Sequence, residues 1–384
     1  MRGLTERAKP AASLVSCPHA SECGACAYLE RDYADQLGRK REILIAAMAR
    51  YPGLRRTEVL DSLPSPLVAE YRNRAKMAVG FSRRGGTRLG YFRAGTREIV
   101  DAPDCRVVLP EILDTSRRLR TLLAAPPSFP RELRHIDLRC GSDRGRQHLT
   151  LVLRASERPA LPLDAVRNAC PAVNGVSFNL NPGAGPQVIR GPIRPLWGAR
   201  EVWVDHAGVR LRVSPGSFFQ VNLSLLPAIH RLMERHIEGG RLLADLYSGV
   251  GTHGLALRSR FPRVLFVEGS RGAAADLKAT IRSHGLLGVE VIASAVERAL
   301  GRLNDPELDA VVLNPSRAGA REPVLQAIAG SPASRVAYLS CEPTTLCRDL
   351  DVLQRRGFVL VSTQPIDMMP QTSQVEALAL LRRG

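Results

Sequence analysis

The sequence predicts an α/β protein in three parts: a cysteine-bearing segment with a helix (1–56), a β-rich central domain (57–212) and a C-terminal doubly wound parallel sheet (213–384). Three observations support this prediction. After residue 213, short apolar runs alternate with helical segments, which is typical of a parallel sheet covered by helices. In the central part, shorter alternating runs are interrupted by Gly and Pro, which favours antiparallel strands. Near the N-terminus, three cysteines lie within ten residues.

The N-terminal segment contains Cys17, Cys23 and Cys26, and Cys105 follows in the central domain. Close thiolates with a distant fourth suit a structural zinc ion or a four-iron cluster, and the spacing leaves both open. The remaining cysteines outside the C-terminal part have no such partners and are expected to be structural. After the cysteines we predict a helix ending at Pro52-Gly53, because apolar residues recur at helical spacing: Leu29, Tyr33, Leu37, Leu44 and Met48.

The central domain should contain strands at 76–81 and 148–153, and a hairpin formed by 202–204 and 209–213 around the turn 205–208. In the C-terminal part, helical segments separate the first five predicted strands. The last two are joined without a helix, which indicates an antiparallel pair at the sheet's edge. These seven strands are 242–246, 264–267, 289–292, 310–313, 336–339, 358–361 and 377–381.

A glycine-rich loop follows the first of these strands, from Asp245 to Gly254, and Glu268 ends the next strand. Glycines let the backbone approach a nucleotide, while the acid binds ribose hydroxyls. The pattern permits either NAD or S-adenosylmethionine. Only 140 residues remain from Asp245 onward, whereas a dinucleotide domain needs a second mononucleotide half. The context therefore favours a class I, Rossmann-like S-adenosylmethionine domain.

Cys341 follows a predicted strand, so it lies at the carboxyl edge of the sheet, where chemistry occurs in open α/β folds. A thiolate there can add to carbon 6 of a pyrimidine, which makes carbon 5 attack a sulfonium methyl group. A base must then remove the carbon 5 proton, and Glu376 is the candidate. In the segment Asn314-Pro315-Ser316-Arg317, the fourth position is arginine rather than an aromatic residue. This argues against methylation of an exocyclic amine.

The excess charge indicates a nucleic-acid partner. The chain has 54 basic and 37 acidic residues, a net charge of +17, and only four of the basic residues are Lys. Guanidinium groups bind phosphate bidentately and stack on bases. There is no run of about 18 apolar residues that could span a membrane. Residues 1–10 lack the apolar core of a secretory signal, so we expect a cytoplasmic protein. No protein partner is readable.

These residues closely resemble the bacterial RNA (uracil-5)-methyltransferase family, and most closely its iron–sulfur 23S ribosomal RNA branch, which lacks a TRAM domain. The resemblance covers nearly the whole chain. It includes the cysteine pattern, Asp245 to Gly254 and the following segments: 71–77, 217–222, 314–315, 340–341 and 367–370.

The resemblance implies a function for each matching position. Cys341 would be the nucleophile and Glu376 the proton acceptor. The other implied sites are an S-adenosylmethionine site at Gln220, Tyr247, Glu268 and Asn314, a [4Fe-4S] cluster on Cys17, Cys23, Cys26 and Cys105, and an RNA-facing strand with Arg72, Asn73, Arg74 and Lys76.

Several positions depart from the family's usual residues. Among them, Ser316 replaces a proline, Glu342 follows the nucleophile in place of asparagine, and Gln374 replaces histidine. A negative charge at Glu342 would raise the pKa of the thiol. Two other functions stay open. One is a non-catalytic iron–sulfur RNA-binding or ribosome assembly factor. The other is RNA cytosine-5 methylation, which needs an acid at ring nitrogen 3 that the sequence does not identify.

Overall fold

The computed structural model describes residues 14–81, 86–125, 129–183, 185 and 187–384. Residues 1–10, on which the expectation about a secretory signal rests, lie outside these ranges. Within the described ranges, no helix is both long and apolar enough to cross a membrane.

A long helix, α1 (Tyr33–Met48), follows the N-terminal cysteines. The Asp32 side chain caps its N-terminus by accepting from the backbone N–H of Asp35. Its buried residues recur every three or four positions, as the sequence predicts, but Leu29 precedes the helix rather than belonging to it.

The central sheet has seven strands in the order β3-β2-β1-β4-β5-β6-β7. Within the described strands of this central sheet, β5 and β6 are the one parallel pair, contrary to the expectation of a fully antiparallel region. The helix α3 between them provides the crossover that parallel pairing requires. The elements of this region are β1 (Arg74–Phe81), β2 (Thr87–Phe92), β3 (Ile99–Asp101), α2 (Pro110–Ala124), β4 (Leu133–Cys140), β5 (Gln147–Leu153), α3 (Leu163–Ala169), β6 (Val173–Leu180) and β7 (Ile193–Gly198).

The predicted hairpin is present as β8 (Val202–His206) and β9 (Val209–Val213). Its apolar residues pack into the same core as one face of the C-terminal sheet. On the opposite face of that sheet, α1 packs against helix α8 (Pro343–Arg355) and strand β15 (Phe358–Ile366), so the N-terminal helix covers the C-terminal part of the chain.

The C-terminal sheet has the order β12-β11-β10-β13-β14-β16-β15. All seven predicted strands are present. The pairs β10–β11, β10–β13, β11–β12 and β13–β14 are parallel. The last strand, β16, lies antiparallel between β14 and β15, so the predicted antiparallel pair is confirmed. The elements are α4 (Leu226–Ile237), β10 (Leu242–Leu246), α5 (Thr252–Leu257), β11 (Arg263–Val267), α6 (Arg271–Ser283), β12 (Val289–Ile292), β13 (Leu308–Leu313), α7 (Glu322–Gly330), β14 (Arg335–Ser340), α8 (Pro343–Arg355), β15 (Phe358–Ile366) and β16 (Glu376–Arg383), with short 3₁₀ turns at Leu223–Leu225, Arg258–Arg260, Val296–Arg298 and Leu300–Asn304.

Candidate active site

The reacting groups predicted from the sequence meet at the carboxyl edge of the C-terminal sheet. Cys341 directly follows β14, and Glu376 is the first residue of β16. Because these strands are antiparallel and Ser340 pairs with Ala377, the end of one strand lies beside the start of the other. The strand register therefore places the thiol next to the carboxyl group.

The Cys341 thiol is half-buried, and its pKa is raised, first by burial and then by the negative charge of Glu376. Arg317 opposes this shift through its charge and a hydrogen bond to the thiol. Arg317 also donates from Nη2 to Oε1 of Gln374 at 2.8 Å, so the unusual glutamine holds the guanidinium beside the thiol.

The main carboxylate beside the Cys341 thiol is not the one that the sequence suggested. The carboxylate that raises the pKa of Cys341 belongs to Glu376. The Glu342 side chain instead accepts from the backbone N–H of Thr344 at 3.4 Å and caps α8.

Glu376 is only 4% exposed, and burial raises its pKa to about 7. In the described ranges, no side chain forms an ion pair with it. A carboxyl group with a pKa near 7 can both accept and release a proton near neutral pH, as a general base must.

The glycine-rich loop is fixed by Asp245, which is fully buried and accepts from the backbone N–H of Gly254 at 2.7 Å. Burial raises the pKa of Asp245 to about 7. Side chains are excluded at two glycines. A Cβ atom on Gly254 would lie 2.5 Å from the ring of Phe266, and Gly251 has φ +87°. Tyr247 is a non-glycine residue at φ +58°, a conformation typical of functional turns.

Three of the four expected cofactor residues belong to this loop or contact it: Tyr247, Glu268 and Asn314. Glu268 accepts backbone N–H bonds from Gly249 at 2.8 Å and from Ser270 at 2.5 Å. Asn314 follows β13, and its Nδ2 lies 3.4 Å from Nε2 of His253. Gln220 is buried close to the central sheet, where its carbonyl oxygen accepts from Nδ2 of Asn73 at 3.1 Å.

Several buried polar atoms near the loop have no hydrogen-bond partner within the described part of the chain. A bound molecule with its own donors and acceptors would satisfy them, because buried polar atoms are almost always paired. These atoms are Gln220 Nε2, Asp245 Oδ1, Tyr247 Oη and Ser248 Oγ. The residues therefore fit a polar cofactor at the loop.

A cleft of about 600 Å³ opens beside Tyr247. Its walls include Ser316, Arg321 and Arg348, but Gln220, Glu268 and Asn314 do not line it. Of the four expected cofactor residues, Tyr247 is therefore the one that borders this cleft.

The loop containing Gln220 is held by residues that the sequence did not single out. Arg139, on β4, donates from Nη2 to the carbonyl oxygen of Ser217 at 2.8 Å. Asp276 accepts from the hydroxyls of Ser214 and Ser217, each at 2.6 Å. Phe218, which directly follows Ser217, is 65% exposed, so its ring stands free at the edge of the site.

The segment expected to face RNA is exposed only in part. Asn73 is 5% exposed and uses its amide on Gln220, while Arg74 forms a bidentate pair with Asp137 on β4. Arg72 lies near Tyr71, Tyr91 and Cys26. The Lys76 residue is exposed. Strand pairing turns alternate residues of this segment inward, which the basic composition does not indicate.

Cys17, Cys23, Cys26 and Cys105 all line one small cavity, together with Leu29, Tyr91 and Val107 among other residues. In the part of the chain that the structure describes, no three His, Cys, Asp or Glu side chains are grouped closely enough to hold one metal ion. Burial, and after it the charge of the nearby Cys105, raise the pKa of Cys26 to about 12. The other cysteines outside the active site, Cys140, Cys170 and Cys347, are buried in hydrophobic cores.

Comparison with known proteins agrees with this geometry. A family model described as tRNA (uracil-5-)-methyltransferase matches residues 201–384. The chain is 32% identical to an uncharacterized RNA methyltransferase of Thermosynechococcus vestitus, covering 95% of this chain and 83% of that one. A Thermotoga maritima RNA methyltransferase is 30% identical over 96% of this chain and 84% of its own.

Among solved structures, the fold is similar to the Pyrococcus abyssi tRNA (uracil-54, C5)-methyltransferase in complex with S-adenosyl-L-homocysteine. The TM-score is 0.73 with 24% identity, covering 92% of this chain and 84% of that one. The likeness confirms the α/β architecture with a Rossmann-like methyltransferase domain. The relatives and the family model show that the chain belongs to the S-adenosylmethionine-dependent RNA (uracil-5)-methyltransferase family.

Proposed function

We propose that this protein methylates carbon 5 of one uridine in 23S ribosomal RNA, through a covalent bond between Cys341 and carbon 6 of the base. The observation that carries this proposal is the pairing of a half-buried thiol with a buried carboxyl group at one sheet edge. Such a pair suits thiolate addition followed by proton removal.

The proposed steps assign each bond to a residue. The Cys341 thiolate adds to carbon 6, and the electron pair of the 5,6 double bond makes carbon 5 nucleophilic. S-adenosylmethionine, when bound, supplies an electrophilic methyl group to carbon 5. Glu376 then removes the proton from carbon 5, and the electrons of that C–H bond restore the double bond and release the Cys341 thiolate. A pKa near 7 lets Glu376 accept this proton and return it to water.

Arg317 would favour the reactive form of the thiol. Its guanidinium lowers the pKa of Cys341 against the effects of burial and Glu376. Gln374 holds Arg317 in place through the 2.8 Å hydrogen bond. The family's usual residue at 374 is thus replaced by one that supports the same thiolate.

Gln220, Tyr247, Glu268 and Asn314 are the proposed cofactor contacts. The unpaired Nε2 of Gln220 and Oη of Tyr247 would gain partners from a bound cofactor. Glu268 uses one lone pair of each oxygen on backbone N–H groups, which leaves others for ribose hydroxyls. Those two backbone bonds also fix the carboxylate before the cofactor binds.

We further propose that Cys17, Cys23, Cys26 and Cys105 hold a [4Fe-4S] cluster. A single zinc ion needs its ligands in mutual proximity, whereas a four-iron cluster takes one thiolate on each of four irons and so spreads them. The four cysteines line one cavity, so each could supply a thiolate to a common group there, and the resemblance of the cysteine pattern favours the cluster over zinc. The cluster would be held where the N-terminal segment (1–56) meets the central domain (57–212).

A nearby cation supports the cluster. Arg72 lies close to Cys26 and Tyr91, and its Nε has no partner in the described ranges. A cluster bound by four thiolates carries net negative charge, which a buried guanidinium would balance. Removal of Arg72 should then lower the iron and acid-labile sulfide bound by protein purified without oxygen.

RNA as substrate follows from the family and from the surplus of basic residues. The choice of 23S ribosomal RNA follows from the resemblance of the cysteine pattern, and it implies that the protein works in the cytoplasm. The central domain (57–212) would bind RNA and the catalytic domain (213–384) would carry out the reaction. The flipped uridine would enter beside Phe218, whose exposed ring offers a stacking surface.

Labelled S-adenosylmethionine and ribosomal RNA from a strain lacking the gene test the proposal directly. Wild-type protein and the Cys347→Ala control, which removes a buried core thiol, should produce 5-methyluridine. Cys341→Ala should not, while it still binds the cofactor. Glu376→Gln should accumulate a covalent RNA adduct that migrates slowly in a denaturing gel.

Each competing outcome has its own signature. Product formed by Cys341→Ala would exclude the covalent route, and a lack of adduct in Glu376→Gln would assign the proton to another base. Methyl transfer to transfer RNA alone would replace ribosomal RNA as substrate, and 5-methylcytidine would identify a cytosine enzyme. RNA binding without any transfer would indicate a non-catalytic RNA-binding or assembly factor.

A further inference from the structure

Three buried histidines form a cluster at the C-terminal end of the glycine-rich loop, and one of them, His253, belongs to the loop. His206 ends β8, His230 belongs to α4, and His253 belongs to α5. Adjacent rings meet edge to face, with centroids 4.9 Å apart for His206 and His230 and 5.3 Å apart for His230 and His253. Neither the proposed chemistry nor the proposed cofactor contacts use these side chains.

Two of the rings connect the core to Asn314. Nε2 of His230 lies 3.1 Å from Nδ1 of His253, and Nε2 of His253 lies 3.4 Å from Nδ2 of Asn314. A buried chain of hydrogen bonds therefore runs from α4 through α5 to the carboxyl end of β13. His206 is held separately, because its Nε2 donates to the carbonyl oxygen of Thr252 at 2.7 Å.

This geometry fixes the direction of each hydrogen bond. An amide Nδ2 only donates, so Nε2 of His253 must accept and carry no proton. The proton of His253 is then on Nδ1, which donates to Nε2 of His230. His230 in turn carries its proton on Nδ1. One tautomer in each ring follows from the orientation of a single amide.

The orientation of that amide matters for the proposed reaction. With Nδ2 directed at His253, Oδ1 of Asn314 is directed away from the histidines. A sulfonium group carries positive charge, so an amide oxygen is favourable near it and an amide N–H is unfavourable. An imidazolium at His253 would have to donate to Asn314, which would reverse the amide.

We propose that His253 and His230 are positioning residues that hold the Asn314 amide with its oxygen toward the cofactor. The inference rests on the proposed role of Asn314 in the cofactor site. It extends that role to a buried pair of neutral rings in fixed tautomers. Burial keeps both rings neutral, since it lowers the pKa of His253 to about 3 and of His230 to about 2.

Nitrogen NMR of wild-type protein labelled only at histidine tests the tautomers without any methyl transfer. The signals of His253 and His230 should each show a protonated Nδ1 and an unprotonated Nε2, and neither should titrate between about pH 5 and 8. A proton on Nε2 of either ring, or titration in that range, would overturn the inference. His253→Gln and His230→Gln identify the signals.

Asn314→Asp provides a directional test. A carboxylate cannot donate, so Nε2 of His253 should gain a proton and Nδ1 should lose its proton. The two nitrogen signals of His253 should then change from protonated to unprotonated and the reverse. An unchanged His253 signal would mean that Asn314 does not determine the tautomer, and the inference would fall. His284, which accepts at Nε2 from the backbone N–H of Arg210 outside this cluster, is the internal control and should not change.

Cofactor affinity separates positioning from simple packing. In calorimetric titration with S-adenosylmethionine, His253→Gln should stay within about 3-fold of the wild-type Kd, because its amide oxygen can accept from Asn314. His253→Phe fills the space without an acceptor, and its Kd should rise about 10-fold. Equal affinities for the two variants would contradict the inference. These readouts need no RNA, so they remain decisive even if the protein fails to methylate uridine.

Discussion

Replacing Lys40 with methionine should destabilise the protein by about 3–5 kcal/mol, because the change removes one partner of a buried ion pair. Lys40 is 1% exposed and its partner Asp367 is 0% exposed. Nζ of Lys40 also donates to the carbonyl oxygen of Met369 at 3.0 Å. Methionine keeps most of the apolar stem, so the loss comes chiefly from the unpaired carboxylate that remains buried.

The same pair links α1 to the connection that precedes Glu376. Unfolding entropy of about 2.1 cal/mol/K per residue amounts to about 0.8 kcal/mol/K for 384 residues. A loss of 4 kcal/mol therefore lowers Tm by about 5 °C. Differential scanning calorimetry of Lys40→Met measures this shift directly. Lys278→Met, which changes a half-buried lysine of α6, is the control and should change Tm by less than about 1 °C.

Adding Asp367→Leu to Lys40→Met should recover part of the lost stability, because the uncompensated carboxylate is then gone. If Lys40→Met melts at the same temperature as Lys278→Met, the pair contributes nothing and the reasoning about burial is refuted. If the double variant is less stable than Lys40→Met, the cost comes from lost packing rather than from the unpaired charge.

Three further predictions concern the candidate active site and the glycine-rich loop. Glu376 must be ionised to accept a proton, and its pKa is raised to about 7. The kcat measured from about pH 5.5 to 9 should therefore rise through pH 7. A flat profile would assign another base or another limiting step. Arg317→Gln should slow adduct formation with Cys341 about 10-fold at neutral pH, because it removes the cation beside the thiol. Gln374→Ala should slow adduct formation less. Equal rates in Arg317→Gln and wild type would contradict the role of Arg317 in favouring the thiolate. Gly254→Ala should destabilise the fold by about 1–3 kcal/mol in urea titration, because the new methyl group would lie 2.5 Å from a ring carbon of Phe266. Unchanged stability would mean that Phe266 and its strand can move aside without cost.

The C-terminal sheet could be predicted from the sequence because its strands are short, nearly uninterrupted apolar runs. Strands 242–246 and 289–292 have the predicted limits. The parallel pairing of β5 with β6 could not be predicted in this way. Alternation reports which face of a strand is buried, and it is the same for parallel and antiparallel neighbours.

The candidate site was predictable where a residue's position in the chain determines its place at the sheet edge. Cys341 and Glu376 are such residues, since both border strands of one sheet. Contacts between distant parts of the chain left no local pattern. Lys40 meets Asp367 across 327 positions, and the amide of Asn73 is used on a residue 147 positions away. The basic residues of the segment 72–76 therefore suggested an exposed surface, although part of that segment is buried.

The ladder between β14 and β16 also determines which changes the catalytic pair can tolerate. Hydrogen bonds along the strands, and not the length of the connection at 367–375, set the spacing between sulfur and carboxylate. Insertions in that connection can accumulate during evolution while the two groups stay aligned. A slip of β16 by one position would turn Glu376 to the other side of the sheet, so natural variation should avoid single-residue insertions within the strand and tolerate them beside it.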